Sequence, residues 1–295
     1  MGIAKGAYRL LLDEKKKGVL KGDSILQLGR QCVLFDAKTL YKYAAKHDVS
    51  LDPVELCPSF DTYYRQLGYI DDITLFKALG FKHVHSLDFS DFEGADIVWD
   101  LNQPIPEKYW GRFDLIYDGG TAEHVFNFPQ VLKNIHLLLK PGGIIIHASP
   151  SNNHVDHGFY MYSPQVYFEY YDVNRYQIVT SQVIEYSPQR KRPWSIYAYQ
   201  PGALEQLSYG NFGKKMLLIH LIAKKVANST SGVIPQQGGY VRAWQAQQKK
   251  SSSAKEKINP FKRLGISLKK KYNRHAPFFV KRFVARRKLN KIAEY

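Results

Sequence analysis

The chain has 295 residues, of which 44% are hydrophobic and 14% aromatic, so it can bury a sizeable core, and its longest apolar run (residues 216–223) is too short to cross a membrane as a helix of roughly 20 residues. The formal net charge of +16 is unevenly distributed along the chain. From Val241 onward there are 17 basic and two acidic residues, whereas the preceding 240 residues contain 25 basic and 24 acidic residues and are nearly neutral. The two cysteines form no CxxC pair, which argues against a disulfide framework or a structural zinc site and fits a reducing cytoplasm.

The first part of the chain predicts a strand followed by two helices. Residues 24–29 (SILQLG) are a buried strand that ends at Gly29. Residues 36–46 have apolar positions at helical spacing behind Asp36, a candidate N-cap. Residues 71–79 predict a second helix, which begins with acidic residues and ends before Gly80.

From residue 83 onward, predicted strands and helices alternate. The pattern indicates strands at 83–88, 95–100, 113–118 and 144–148, a helix at 128–139, and strands at 176–186 and 215–223. We therefore expect an α/β protein with a Rossmann-like open sheet, mostly parallel with an antiparallel terminal hairpin and with helices on both faces, spanning residues 1–240.

Several of these strands end in residues suited to ligand binding. In an open α/β sheet, ligands lie at the carboxyl ends of the strands, near the point where the strand order reverses. Gly29, Asp88, Asp100, Asp118 and Ser149 are expected at this edge. A carboxylate there can bind the two hydroxyls of a ribose or accept a hydrogen bond from an adenine amine, and a glycine lets a ligand approach the backbone.

The run FDLIYDGGTAEHV followed by FPQVLKNIHLLLKPGGIIIHASP (residues 113–150) resembles the fourth strand, following helix and fifth strand of class I S-adenosylmethionine (SAM) dependent methyltransferases. SILQLGR resembles the first strand and cofactor loop of that family, SLDFSD its second strand and ADIVWDLNQPIP its third. The resemblance implies SAM as the cofactor. The residues that it places at the cofactor are Leu28, Gly29, Arg30, Asp88, Phe89, Asp100, Leu101, Asp118 and Gly119.

Two features depart from the family pattern. The first loop usually reads Gly-x-Gly-x-Gly, whereas this chain continues from Gly29 into Arg30, a cation that can pair with the cofactor carboxylate. Asp88 also lies 59 positions after Gly29, so we infer an insertion at about residues 48–69 that forms a lid or a substrate wall. Asp36 is an alternative ribose ligand, although it begins a helix rather than ending a strand.

The acceptor side is expected just after the fourth and fifth strands of the family pattern. His124, His154 and His157 are candidate catalytic bases, because a histidine near its ordinary pKa can remove a hydroxyl proton. The segment 151–164 adds candidate substrate ligands, which are Asn153, Asp156, Tyr160 and Tyr162. The sequence HVDH alone offers too few ligands for a metal site, so no metal is expected.

The C-terminal part is expected to lie outside the main domain. Residues 241–257 are polar and Ser-rich, which is typical of a linker. Residues 258–295 form a basic segment with an amphipathic helix pattern at 276–292, in which Phe279 and Phe283 are spaced i,i+4 among Lys and Arg. This segment favours an anionic membrane surface; a disordered tail and a nucleic-acid arm remain alternatives.

We therefore expect a cytoplasmic SAM-dependent methyltransferase, peripheral at the inner face of the membrane, that methylates an oxygen of a sugar or another small or glycan acceptor in polysaccharide biosynthesis. Two alternatives stay open. The altered loop after Gly29 favours a methyltransferase-like binding or scaffold protein without activity. The basic tail favours an RNA methyltransferase.

Overall fold

The centre of the molecule is a nine-stranded sheet with helices on both faces. A computed structural model describes residues 2–187, 192–208, 210–251 and 276–295. The order of strands in the sheet is β11-β9-β8-β10-β7-β6-β2-β4-β5, and β1 and β3 form a separate two-stranded sheet. The strands are β1 Gly2–Ile3, β2 Ser24–Leu28, β3 Cys32–Val33, β4 His83–Asp88, β5 Ile97–Val98, β6 Phe113–Asp118, β7 Leu139–Pro150, β8 Gln177–Tyr186, β9 Ser195–Ala198, β10 Met216–Lys224 and β11 Lys291–Glu294. The helices are α1 Lys5–Lys16, α2 Ala37–Lys46, α3 Thr62–Gln66, α4 Asp72–Ala78, α5 Phe128–Leu138, α6 Pro164–Val173, α7 Gly238–Ser251 and α8 Phe278–Arg287, with short 3-10 helices at Glu107–Tyr109 and Ala122–His124.

One half of the sheet is parallel and the other antiparallel. Strands β5, β4, β2, β6 and β7 pair in parallel, whereas β10 is antiparallel to both β7 and β8, and β9 and β11 extend the antiparallel side. After β2 the chain crosses to β4 and β5 on one side, then returns to β6 on the other side of β2. The strand order therefore reverses at β2, and the expected fold class is confirmed.

Side chains of the central strands alternate between two hydrophobic cores, one on each face of the sheet. Successive side chains of a strand point to opposite faces. Leu26 and Ile116 pack in the core beneath α5 and α6, which contribute Ile135 and Tyr171, among others. Their neighbours Ile25 and Leu115 pack in the opposite core, against apolar residues of α1, α2 and α4. Because both faces of the central strands are covered, these strands contain nearly continuous apolar runs.

Most of the predicted elements are confirmed within one or two residues, including the hairpin of β8 and β10. Asp36 and Asp71 are the N-caps of α2 and α4, and their carboxylates accept hydrogen bonds from the backbone N–H groups of Thr39 and Thr74. Since Asp36 is engaged in this cap, the alternative in which it binds a ribose is not supported.

The C-terminal part differs from the expectation. Residues 238–251 form helix α7 where a polar linker was predicted from 241, and Tyr240 and Trp244 contact each other across one turn with ring centroids 6.1 Å apart. The remaining linker residues 252–257, and residues 258–275 of the basic segment, lie outside the described residues. The predicted helix at 276–292 is confirmed only as α8. It ends at Arg287, and β11 then pairs with β9 because the sheet edge offers unpaired backbone groups.

The C-terminal residues are also held by a buried ion pair. Glu185 of β8 is 4% exposed, and both of its carboxylate oxygens accept hydrogen bonds from the guanidinium of Arg286 in α8. Within the described parts of the chain, no helix is both long and apolar enough to traverse a lipid bilayer.

Candidate active site

The carboxyl ends of β2, β4 and β6 meet at one edge of the sheet. Leu28, the last residue of β2, lies opposite Leu87 of β4 and Asp118 of β6, and Asp88 lies opposite Val98 of β5. The loops that follow these strands are therefore neighbours, and they meet where the strand order reverses. This is the position at which open α/β sheets bind ligands.

Gly29 is required by the backbone at the start of the first loop. Its φ is +68°, in the region that favours glycine, and its N–H donates to the carbonyl of Leu87 at 2.7 Å. A Cβ at this position would lie 2.8 Å from Oγ1 of Thr121 and 3.6 Å from Oδ2 of Asp88. Gly29 thus brings the first loop against the ends of both neighbouring strands.

Asp88 and Phe89 present a carboxylate and an aromatic ring beside this glycine. Oδ1 of Asp88 accepts a hydrogen bond from the N–H of Phe89 at 2.6 Å, and Oδ2 has no hydrogen-bond partner among the described residues. The ring of Phe89 is 74% exposed. The pKa of nearby Glu93 is raised by burial and by the negative charge of Asp88. This corner therefore concentrates negative charge next to an open aromatic face.

Asp100 and Leu101 follow β5 at the same edge. Oδ1 of Asp100 accepts hydrogen bonds from the backbone and side-chain N–H groups of Asn102, which leaves Oδ2 available. The carbonyl of Leu101 accepts from Asn134, whereas its N–H has no partner in the described part of the chain. Among the described residues, Oδ2 of Asp100 is thus a free hydrogen-bond acceptor, and the N–H of Leu101 is a free donor beside it. The edge of an adenine ring can bind one acceptor and one donor placed in this way.

Arg30 is not free to pair with a cofactor carboxylate as the sequence suggested. Its guanidinium donates to both carboxylate oxygens of Asp72 at 2.6 and 2.7 Å and to the carbonyl of Glu93 at 3.3 Å. It also lies over the ring of Phe60, at 4.4 Å from the centroid. Because Asp72 is fully buried and supplies the opposite charge, Arg30 is a structural cation that joins the first loop to α4, and its predicted pairing with a cofactor carboxylate is corrected.

Gln31, which the sequence did not single out, occupies the space above Gly119. The side chain of Gln31 donates to the carbonyl of Leu28 at 3.2 Å, and its Oε1 is buried with no partner among the residues that the structure describes. A Cβ on Gly119 would lie 2.5 Å from this oxygen. Gly119 is therefore at the predicted place, but the amide of Gln31 covers it.

Asp118 lies beneath the edge rather than on it. Its side chain is fully buried, and its oxygens accept hydrogen bonds from the backbone N–H groups of Thr121 and Ala122 and from Nδ1 of His147 at 2.7 Å. Burial raises the pKa of Asp118, but the hydrogen bonds and the charge of His147 lower it by more, so its pKa lies below the ordinary value. The hydroxyl of Tyr171 is bound to the other ring nitrogen of His147. Asp118 therefore holds the loop that follows β6, and its predicted contact with a cofactor is corrected.

The acceptor side contains a group of three titratable side chains. Glu123 and His124 lie in the 3-10 turn after β6, and His157 lies in the loop after β7. Nε2 of His157 is 3.8 Å from Oε1 of Glu123, and the rings of His124 and His157 are 5.1 Å apart. Glu123 is fully buried, and both of its oxygens lack a hydrogen-bond partner within the described part of the chain. Its pKa is raised to about 8 by burial and by the charge of Asp118.

The three histidines predicted as bases do lie together. The ring of His154 is 5.9 Å from that of His157, and Nε2 of His154 is hydrogen-bonded to the hydroxyl of Tyr186 at 3.0 Å. Burial lowers the pKa of His124, His154 and His157, and repulsion from His157 lowers that of the other two further. All three imidazoles are therefore neutral at pH 7 and can accept a proton.

The predicted substrate ligands separate into two groups. Asp156 is exposed, and the hydroxyl of Tyr160 donates to the carbonyl of Phe126 at 2.6 Å. Asn153 instead donates to the carbonyls of Gly213 and Lys215, so its side chain anchors the start of β10. Tyr162 is 5% exposed and packs in the core. Asn153 and Tyr162 are therefore corrected from substrate ligands to structural residues.

Three residues at this edge were not predicted as site residues from the sequence. Thr121 and Gln31 contact the glycines of the site, and Glu123 is its buried carboxylate. The Glu123–His124 dipeptide was visible in the sequence, but nothing in it indicated that the carboxylate is buried without a donor. That property depends on the approach of the loop containing His157.

A cavity of about 410 Å³ lies away from this edge, where residues 288–290 cover α6, β8 and β9. Its lining is mostly apolar and includes Phe168, Ile178 and Tyr199. It brings together no cluster of carboxylates or imidazoles among the described residues. The edge formed by the strand ends is therefore the better candidate for catalysis.

Comparison with solved structures finds similar proteins. A 1,6-didemethyltoxoflavin-N1-methyltransferase from Burkholderia thailandensis is 13% identical, with 75% of this chain and 79% of that chain covered and a TM-score of 0.38. A SAM-dependent methyltransferase from Archaeoglobus fulgidus is 11% identical, with 74% and 94% covered and a TM-score of 0.39. An O-methyltransferase of a polyketide synthase from Brevibacillus brevis is 11% identical, with 85% and 86% covered and a TM-score of 0.38.

No protein-family model and no curated protein matches the chain. At these identities the likeness concerns the fold alone, and at these TM-scores the fold assignment depends on the strand order and pairing described above.

Proposed function

We propose that the chain is a SAM-dependent methyltransferase that transfers a methyl group to an oxygen of a small acceptor. The observation that carries this proposal is the convergence of Gly29, Asp88 and Asp100 at the carboxyl edge of the sheet, beside the reversal of strand order. Free carboxylate oxygens, an exposed ring and a close glycine are the features that an adenosine requires there.

The residues present fit the adenosine part of the cofactor. Asp88 would bind the ribose hydroxyls through its unpartnered oxygen, and the exposed ring of Phe89 would pack on the adenine. Oδ2 of Asp100 would accept a hydrogen bond from the adenine amine, and the N–H of Leu101 would donate to the ring edge. The cofactor supplies an electrophilic methyl group on sulfur, so the protein mainly aligns the acceptor and excludes water.

On the acceptor side, a neutral histidine removes the hydroxyl proton. His124 and His157 lie next to Glu123, whose pKa is raised to about 8, so this carboxyl itself carries a proton at pH 7 and the neutral imidazoles are the bases. Phe126 and Phe159 are 70% and 67% exposed, and their ring centroids lie 5.7 Å apart in an edge-to-face arrangement. Exposed aromatic faces beside a base favour a ring-bearing acceptor such as a sugar of a glycan.

Isothermal titration with S-adenosylhomocysteine tests the cofactor part. We expect the wild-type chain to bind it and Asp88→Asn to bind about 10- to 100-fold more weakly, the loss of a charge-assisted hydrogen bond of roughly 1.5–3 kcal/mol. His83→Gln, at the opposite end of β4, is the matched control and should bind normally. Equal binding by Asp88→Asn and wild type would remove Asp88 from the site.

Incubation with labelled SAM and hydroxyl-bearing glycans tests the acceptor part. Transfer to a sugar oxygen is expected, and transfer only to protein or RNA would refute the glycan assignment. The position of Gln31 over Gly119 favours a second candidate, a binding protein without activity, because this amide covers a residue that the family resemblance places at the cofactor. No binding of S-adenosylhomocysteine at millimolar concentration would support that candidate.

We further propose that α8 contacts an anionic membrane surface at the cytoplasmic side. Phe279 and Phe283 are 71% and 56% exposed on a helix rich in Lys and Arg, and the guanidinium of Arg287 lies 4.4 Å from the ring centroid of Phe283. Apolar rings among cations suit the headgroup region of a bilayer. Vesicles with anionic lipid should bind the wild type more strongly than the Phe279→Ser, Phe283→Ser double variant, and equal binding would refute this proposal.

A further inference from the structure

The cluster of Glu123, His124 and His157 has the properties of a metal site that the sequence did not predict. Each residue offers one ligand atom, and the three atoms all lie within 4.8 Å of one another. Two imidazoles and one carboxylate are a recurrent ligand set for divalent transition metals. Among the described residues, this is the group of histidine, cysteine and acidic side chains that meets the geometry of a metal site.

The buried carboxylate is the strongest indication. Glu123 is fully buried, yet neither of its oxygens accepts a hydrogen bond from the described residues. An ionised carboxylate taken out of water without a partner costs several kcal/mol, so Glu123 carries a proton unless a cation is bound in its place. The imidazole of His157, at 3.8 Å, is too distant for a hydrogen bond. A bound cation supplies the compensation that the protein itself does not provide.

The backbone brings the two loops together at this point. Gly158 follows His157, and a Cβ there would lie 2.9 Å from the carbonyl oxygen of Glu123 and 3.2 Å from Nδ1 of His124. The loop after β7 therefore packs against the 3-10 turn only because residue 158 is glycine. This close approach holds the imidazole of His157 beside the turn that contains the other two ligands.

We propose that Glu123, His124 and His157 bind one divalent transition-metal ion at the acceptor side of the site. Metal–ligand bonds of about 2.0–2.2 Å hold the ligand atoms of a tetrahedral site about 3.4 Å apart, so the three side chains must move closer on binding from separations of up to 4.8 Å. Three protein ligands leave coordination positions open. Since His124 and His157 are exposed, the open positions face solvent and the incoming acceptor.

The role of the ion depends on the proposed function. In a methyltransferase, an acceptor hydroxyl bound to the metal loses its proton more readily, because a divalent ion lowers the pKa of a coordinated oxygen acid. His154 lies beside this position, with its ring 5.9 Å from that of His157. With His124 and His157 as ligands rather than bases, the ion would orient the acceptor oxygen, and the proton would pass to His154 or to water.

Titration of the untagged, full-length, metal-free chain with Co²⁺ alone tests the proposal. We expect one Co²⁺ per chain with visible d–d absorption, and the same stoichiometry for Zn²⁺ by equilibrium dialysis and elemental analysis. Glu123→Gln and His157→Ala should each weaken binding by at least about 100-fold, the upper range for disturbing the surroundings of a metal site. His83→Gln, another exposed histidine, is the control and should bind Co²⁺ as the wild type does.

Wild-type stoichiometry that persists in both variants would overturn the proposal, as would the absence of binding to the wild type. His157→Ala changes an exposed side chain, so it keeps the test valid even where Glu123→Gln lowers stability. Titration of the same samples with S-adenosylhomocysteine separates the two proposals. Metal binding without nucleoside binding would refute the methyltransferase function and leave the metal site standing, and the converse would refute the metal site alone.

Discussion

The ion pair of Arg30 and Asp72 gives a quantitative prediction for the stability of the first loop. Asp72 is fully buried and accepts three hydrogen bonds, from Gln27 at 2.8 Å and from two guanidinium nitrogens of Arg30 at 2.6 and 2.7 Å. The substitution Asp72→Asn removes the charge and replaces one acceptor oxygen with a donor. Arg30, whose side chain is 9% exposed, then loses its counter-ion inside the protein.

Breaking a buried ion pair on one side costs about 3–5 kcal/mol, and the carbonyl of Glu93 and the ring of Phe60 remain as partners for Arg30. We therefore expect Asp72→Asn to lower the free energy of unfolding by about 3 kcal/mol, at the lower end of that range. Urea denaturation followed by circular dichroism measures this change as a lower midpoint with an unchanged slope.

Asp48→Asn is the matched control, because Asp48 pairs with Lys16 at 3.5 Å while 93% exposed, and the midpoint should not move. Removing both partners, in Arg30→Met with Asp72→Leu, should cost less than Asp72→Asn alone, because no buried charge is left unpaired. A loss below about 1 kcal/mol for Asp72→Asn would refute the reasoning, since it is the size expected of an exposed pair.

Three further predictions concern the site, the core and the C-terminus. Gly29→Ala places a Cβ on a residue with φ of +68°, at 2.8 Å from Oγ1 of Thr121. We expect it to lower the free energy of unfolding by about 1–3 kcal/mol and to weaken S-adenosylhomocysteine binding. An unchanged melting temperature would contradict this. Burial and the charge of Lys17 lower the pKa of His220 to about 3, so only the unfolded chain binds this proton between pH 3 and 6.5, and stability falls as pH falls through that window. Between pH 7 and 5, His220→Leu should lose about 2 kcal/mol less than the wild type in urea denaturation, and parallel losses would exclude His220 as the cause. Arg286→Gln leaves Glu185 buried without its counter-ion, so hydrogen exchange in β11 should accelerate, and unchanged protection would show that backbone pairing alone holds the C-terminus.

Some parts of the candidate site could be predicted because they depend on local order in the chain. Asp88 ends β4 and Asp100 follows β5, and a parallel sheet brings such positions to one edge whatever its exact register. The long apolar runs of β2 and β7 indicated central strands covered on both faces. The linker prediction was wrong for residues 241–251, because a polar composition also suits an exposed helix such as α7.

The amino-acid sequence by itself determined the central strands, helices α2, α4 and α5, the parallel centre of the sheet and the acids at its edge, since these follow from apolar periodicity and turn residues close together in the chain. It did not indicate α1, α6 or β9. Only the tertiary structure decided which charged groups are free. Arg30 forms an ion pair with Asp72, and Asp118 is hydrogen-bonded to His147. Glu123 lies 3.8 Å from His157, and its oxygens accept no hydrogen bond from the described residues. These partners are far apart in sequence, and the strength of each interaction depends on burial and on distances of a few ångström, which no local pattern of residues specifies.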